Sequence, residues 1–217
     1  MKEEKLESYQ AFLRHPIGIP ARAVLILSVL FLPLVFQYPL WTMSFQSNQY
    51  PDPLRLAIHI DHLEGQKTAS RDDLREINSL NHYIGMRPLL ESDFAEFLWL
   101  PFAVGFFALI ILRAVVFGNV RDLVDIAVLY LYFGLFSFWS FYSRLYQYGH
   151  NLNPEAAIKV EPFTPPMYGR VQVANFYVES FPGGGSYAMM LFGALVFVAL
   201  GLALVEARRL HRLSQSP

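Results

Sequence analysis

The sequence predicts an α-helical membrane protein, with four transmembrane helices and a small α+β extracytoplasmic cap formed by two loops. Three observations predict it. The 217-residue chain is 54% hydrophobic and 16% charged, where a soluble domain carries about 25% charge. Four apolar runs approach the roughly 20 residues needed to cross the hydrocarbon core of a bilayer. The polar stretches between the first and second runs, and between the third and fourth, carry strand and helix signals of their own. A formal net charge of −1 gives no electrostatic basis for binding nucleic acid. The absence of cysteine excludes disulfides, thiolate zinc sites, iron–sulfur clusters, attached c-type haem, a cysteine nucleophile and a lipoprotein anchor.

Residues 1–22 begin polar and carry Lys2, Lys5, Arg14 and Arg22, while Leu6, Tyr9, Phe12 and Leu13 recur at helical spacing. This predicts a cytoplasmic segment lying on the membrane surface. The first span is residues 23–41, with Pro33 as a kink and Tyr38 and Trp41 at the interfacial belt. The polar segment before it is long and no small-residue cleavage site follows, which favours an uncleaved anchor over a signal peptide. Residues 42–93 form the first extracytoplasmic loop. Leu56-Ala57-Ile58-His59-Ile60-Asp61 alternates as a strand does. That strand places His59 and Asp61 on one face and Ile58, Ile60 and His62 on the other, and Gly65 ends it. Ser70-Arg71-Asp72-Asp73 reads as a helix start, and Leu74, Ile77, Leu80, Asn81 and Ile84 keep helical spacing. Gly85 and then Pro88 stop that helix.

The second span is residues 94–117, with Glu96 and Arg113 near its ends, placed to snorkel. Residues 118–122 are a cytoplasmic turn. The third span is residues 123–143, and Asp125 near its start calls for a partner such as Arg121 or Arg113. Residues 144–186 are the second extracytoplasmic loop, with one strand over residues 171–178 and a flexible joint at Pro182-Gly183-Gly184-Gly185-Ser186. The fourth span is residues 187–206, and residues 207–217 are a tail holding Arg208, Arg209, His211 and Arg212. Basic residues flank the spans at the N-terminus, the 113–121 turn and the tail. The positive-inside rule therefore puts both termini of a multi-pass chain in the cytoplasm and both larger loops outside, which in a bacterium means the inner membrane and the periplasm.

Four of the six histidines, His59, His62, His82 and His150, fall in the two outward loops, as do Met43, Met86 and Met167. Imidazole with thioether suits copper better than calcium or magnesium, and metal handling where thiols oxidise relies on these two side chains. The stretch Leu80-Asn81-His82-Tyr83-Ile84-Gly85-Met86 makes His82 the first candidate ligand. His59, His150 and Met86 follow, Asp61 orients His59 from behind, and His62 and Met43 are weaker candidates. A helical His59-x2-His62 pair would also suit a metal, but the alternation points the two rings apart.

Three segments, Tyr38-Pro39-Leu40-Trp41 through Gln49-Tyr50-Pro51, Ile77-Asn78-Ser79-Leu80-Asn81-His82-Tyr83-Ile84-Gly85-Met86, and Tyr148-Gly149-His150-Asn151-Leu152-Asn153-Pro154 with Ala157-Ile158-Lys159-Val160, together resemble a family of small bacterial four-helix membrane proteins. That family is associated with accessory genes for nitrous oxide reductase maturation and copper handling. The resemblance implies a role in maturing a periplasmic copper enzyme, or in its electron supply, with a periplasmic or membrane protein as partner besides the lipid bilayer. His82, Met86 and His150 match the patterned segments. A different class of function is a non-catalytic adaptor subunit of a larger membrane complex, whose loops dock a partner. Haem b is disfavoured because no span contains a histidine to ligate it. A transporter is disfavoured by spans with few polar or broken-helix features, and an enzyme by the lack of a nucleophile–base pairing.

Overall fold

The computed structural model describes residues 10–173 and 175–214, with side chains through residue 210. The elements run α1 (Ile19–Val29), α2 (Leu32–Gln37), β1 (Trp41–Gln46), β2 (Leu54–Ile58), β3 (Leu63–Gly65), α3 (Asp73–Tyr83), α4 (Glu96–Phe117), α5 (Val120–His150), β4 (Gly169–Val173), β5 (Phe176–Pro182) and α6 (Gly184–Ser214). Of the N-terminal surface segment, residues 10–13 are helical, while Lys2, Lys5, Leu6 and Tyr9 lie outside the described residues, as do the side chains of His211 and Arg212.

Four stretches are long and apolar enough to cross a membrane: Ile19–Gln37, Glu96–Phe117, Val120–His150 and Gly184–Leu210. They fall on the four apolar runs, but every end except Phe117 is displaced. The first starts four residues early, with a proline in its opening turn, where a missing N–H costs nothing, and it stops before Pro39. It is broken rather than only bent. Pro33 has no N–H to give the carbonyl of Val29, and the amides of Leu30 and Phe31 tighten onto Leu27 O and Ser28 O at 3.2 Å each. The third helix runs through residues 144–150, which were expected in a loop. Arg144 lets it continue, because its guanidinium grips both carboxylate oxygens of Glu96 at 3.2 and 3.3 Å and Ser140 donates to the same carboxylate at 2.5 Å. Glu96 is thus paired instead of snorkelling alone.

The fourth helix begins inside the glycine run expected to be a flexible joint. A Cβ at Gly183 would stand 2.3 Å from Pro39 O and one at Gly185 2.6 Å from Tyr38 O. The two amides donate to Leu40 O at 2.8 Å and Pro39 O at 2.9 Å. These glycines permit close backbone approach, which makes the segment a fixed junction.

The chain divides into two compact units. In the first (Met1–Pro33, Phe102–Gly134, Ala188–Pro217), Asn119 and Asp122 cap α5 reciprocally at 3.0 Å each way. Residue 16 bridges to residue 119. Asp125 finds Arg121 at 3.8 Å, one of the two partners the sequence proposed, and Arg113 pairs with Asp122 at 3.7 Å. Phe107 packs its ring against Tyr130, Phe133 and Phe192.

The second unit (Leu34–Pro101, Leu135–Tyr187) holds one antiparallel sheet in the order β3-β2-β1-β5-β4. The expected strands near Ile58 and Val173 do share a sheet, but β1 and β5 lie between them. Three further strands, β1, β3 and one arm of the β4–β5 hairpin, complete the sheet. Trp41, read as an interfacial end of the first span, opens β1 and pairs with both Ile58 and Pro182. The single strand expected over residues 171–178 is instead the hairpin β4–β5, which pairs Val173 with Phe176; Ala174, within that expected strand, lies outside the described residues. Period-two alternation turns Met43, Leu54, Leu56, Leu63 and Val178 to one face. There they pack with Ile77 of α3 and Phe97 at the start of α4. The helix α3 starts at Asp73, with Asp72 as its cap accepting from Arg75 N at 3.4 Å, near the predicted start.

Candidate metal centre

The hairpin β2–β3 builds the site. Its register sets Leu56 opposite Gly65, Ala57 opposite Glu64 and Ile58 opposite Leu63. The next rung is His59 opposite His62, closed by His59 N donating to His62 O at 2.9 Å. Directly opposed residues share a face, and residues two apart on one strand share it too. Leu56, Ile58 and Leu63 take the core face, so His59, His62 and Glu64 take the other together. A strand that continues to Asp61, as the alternation predicts, points the two histidines apart. The strand instead ends at Ile58 and the chain reverses over residues 59–62. This reversal brings the imidazoles together, stacked with centroids 4.4 Å apart and planes 4° from parallel.

His59 Nε2 and Glu64 Oε2 are 3.1 Å apart, and His62 Nδ1 and Asp61 Oδ1 are 2.6 Å apart. Each imidazole therefore has its own carboxylate. Asp61 was expected behind His59; it holds His62, and the partner of His59 is Glu64, which the sequence reading did not select. The alternation that revealed β2 would have found Glu64 had the turn been placed two residues earlier. One potential ligand atom from each of His59, His62 and Glu64 lies within 4.8 Å of the others. The side chain of His59 is 11% exposed and those of His62 and Glu64 are 45% and 63%. One wall is packed and the other open to water. The amide of Leu63, which opens β3 just past the turn, donates to Glu91 Oε1 at 3.2 Å. This covers a free donor of the edge strand and ties the site to the segment that enters α4.

The remaining candidates lie elsewhere. His82 sits exposed in the last turn of α3, its ring edge-on to Tyr83 at 6.4 Å. His150 ends α5, stacked 3.8 Å from the ring of Tyr146 with Nδ1 3.0 Å from Tyr146 O. Met86 follows the helix stop, where Gly85 takes φ +80°. Met43 is 6% exposed within the apolar cluster of the sheet, and its sulfur is enclosed by hydrocarbon. The segments around His82 and His150 do pack together. Asn153 N donates to Gly85 O at 2.8 Å and Ile158 N to Tyr83 O at 2.9 Å, and the rings of Phe94 and Tyr148 stack at 6.0 Å. Among the described residues, the group of three histidine or carboxylate ligand atoms in mutual reach is nonetheless His59, His62 and Glu64.

Two neutral imidazoles and a carboxylate fit a borderline transition ion such as Cu(II) or Zn(II). The group offers no thioether. Comparison with family models, characterised proteins and solved structures finds no match to the chain.

Proposed function

We propose that the chain is a multi-pass accessory protein of the bacterial cytoplasmic membrane that holds a copper ion on its outer side and serves the maturation of a periplasmic copper enzyme. The observation that supports the metal reading is the convergence of His59, His62 and Glu64 on one face of the β2–β3 hairpin. The family resemblance supports copper and a nitrous oxide reductase system, and the basic flanks of the spans support the orientation. Metal analysis after copper loading tests it on full-length protein purified in detergent. The wild type retains stoichiometric copper, and the double variant His59→Ala/His62→Ala loses it while keeping its fold. Equal, substoichiometric copper in both overturns the reading. His82→Ala, run alongside, reads whether the ligand set extends to α3.

A second reading, the adaptor subunit, has one observation in its favour. The segments carrying the resemblance are held to each other by main-chain hydrogen bonds from residues 153 and 158 to residues 85 and 83, as a preformed docking surface requires. This reading stands if copper does not bind.

A further inference from the structure

Resting on the metal reading above, we infer that the β2–β3 turn is an open, sulfur-free site for a divalent ion of the Cu(II) or Zn(II) class, loaded by rotation of the His62 ring, with Asp61 as its positioning carboxylate. The donor set comes first. Two ring nitrogens and a carboxylate oxygen are within reach of one another, whereas Met43 is sealed in the core. Soft Cu(I) selects thioether and thiolate; nitrogen and oxygen donors select divalent borderline ions.

The ring geometry then says which residue moves. An imidazole lone pair lies in the plane of its ring. Planes 4° apart with centroids separated by 4.4 Å send their lone pairs side by side, and they do not converge on one ion. Ligation requires one ring to tilt. His59 is walled in at 11% exposure and His62 is open at 45%, so His62 swings and His59 is the fixed point. Asp61 Oδ1 accepts from His62 Nδ1 at 2.6 Å, which fixes the tautomer and leaves Nε2 with its lone pair for the ion, as a carboxylate behind a ligating histidine does. Glu64, 63% exposed, exchanges its hydrogen bond to His59 Nε2 for the ion, and the Nε2 proton is replaced through water by one on Nδ1, which frees the Nε2 lone pair for ligation. With three protein donors on a solvent-facing surface, the remaining coordination positions go to water or to a receiving protein, which suits transfer better than permanent storage.

The test uses full-length wild-type protein in detergent with Cu²⁺, Zn²⁺ and, under anaerobic conditions, Cu⁺ as probes. Electron paramagnetic resonance of the Cu²⁺ form is expected to show two imidazole nitrogens, and X-ray absorption a nitrogen/oxygen shell with no sulfur. His62→Asn is expected to reduce the count to one nitrogen and to weaken Cu²⁺ binding by more than about 100-fold. Asp61→Asn keeps both nitrogens and weakens binding by about 10–100-fold, the range for residues that orient a ligand. Met86→Leu changes neither spectrum nor affinity. A copper–sulfur shell that disappears in Met86→Leu overturns the inference while leaving the metal reading in place, as does a two-nitrogen spectrum in His62→Asn. Wild-type protein that binds none of the three ions removes the metal reading itself. The wild-type spectra keep the question decidable if a variant fails to fold.

Discussion

Asp73 is the most demanding single residue in the sheet-bearing unit. Its side chain is fully buried, yet both carboxyl oxygens are satisfied. Oδ2 accepts from Arg55 N at 2.8 Å and Oδ1 from Arg71 Nε at 2.6 Å, while Arg71 also reaches Asp52 Oδ2 at 3.2 Å. One carboxylate thus pins the first turn of α3 to β2. Asp73→Ala leaves Arg71 its contact with Asp52 but strips the Arg55 amide of its acceptor, and is expected to destabilise this unit by about 1–3 kcal/mol, the cost of buried hydrogen bonds lost on one side, read as a fall in its thermal midpoint, with Asp73→Asn intermediate. Tyr50 gives a pH signature. Burial first, and then the hydrogen bond to Glu76 Oε2 at 3.0 Å, raise its hydroxyl above the ordinary tyrosine value. The folded state holds this proton longer than the unfolded chain does. The stabilisation is complete below about pH 10, the unfolded value, and is lost as pH rises through the raised folded value. Stability measured at about pH 9 and about pH 11 should drop more steeply in wild type than in Tyr50→Phe; equal slopes would rule out this linkage.

Among the elements, the helix stop at Gly85 bears most directly on how the two loops meet. Its φ of +80° is one that side-chain-bearing residues rarely take. A Cβ there would also lie 2.8 Å from Asn153 O and 2.9 Å from Ala156 Cβ. Gly85→Ala is expected to cost about 1–3 kcal/mol and to loosen residues 151–158, seen as faster limited proteolysis there with the sheet intact. This stop was legible in the sequence, because glycine past a run of helical spacing has one common meaning. The hairpin turn at residues 59–62 was not. It contains no glycine, proline or asparagine, and His59-Ile60-Asp61 keeps alternating after the strand has ended, so the period-two pattern overshoots its own strand. β1 was hidden because Trp41 follows directly on an apolar run and fits an interfacial belt equally well. The extra turns of α5 were hidden because span length is judged by apolarity, while Arg144 and Glu96 satisfy each other's charge across two helices. The candidate site was therefore half legible. The histidines stood out by type, but their grouping depends on register, which a one-residue slip inverts.

At the scale of the whole molecule, the alternation of four spans with two folded loops makes a topological prediction. In the proposed orientation, reporters fused at residues 70 and 165 are expected to read as outside and one at residue 119 as inside. A cytoplasmic readout at residue 70 would reverse the orientation and move the metal site to the other compartment.

The direct hand-over from helix to strand constrains how the length of this chain can vary. Residues 38–40 alone separate α2 from β1, and Gly183 alone separates β5 from α6, while β1 and β5 are hydrogen-bonded partners along Trp41↔Pro182 to Gln46↔Tyr177. Adding one residue to either connector must turn the adjoining helix by about 100° or exchange the two faces of the adjoining strand. Neither can be absorbed where Gly183 N already donates to Leu40 O and Gly185 N to Pro39 O. Insertions and deletions should accordingly be excluded from these two joints and confined to surface stretches such as residues 159–162, which is also the place to insert an affinity tag without disturbing the sheet.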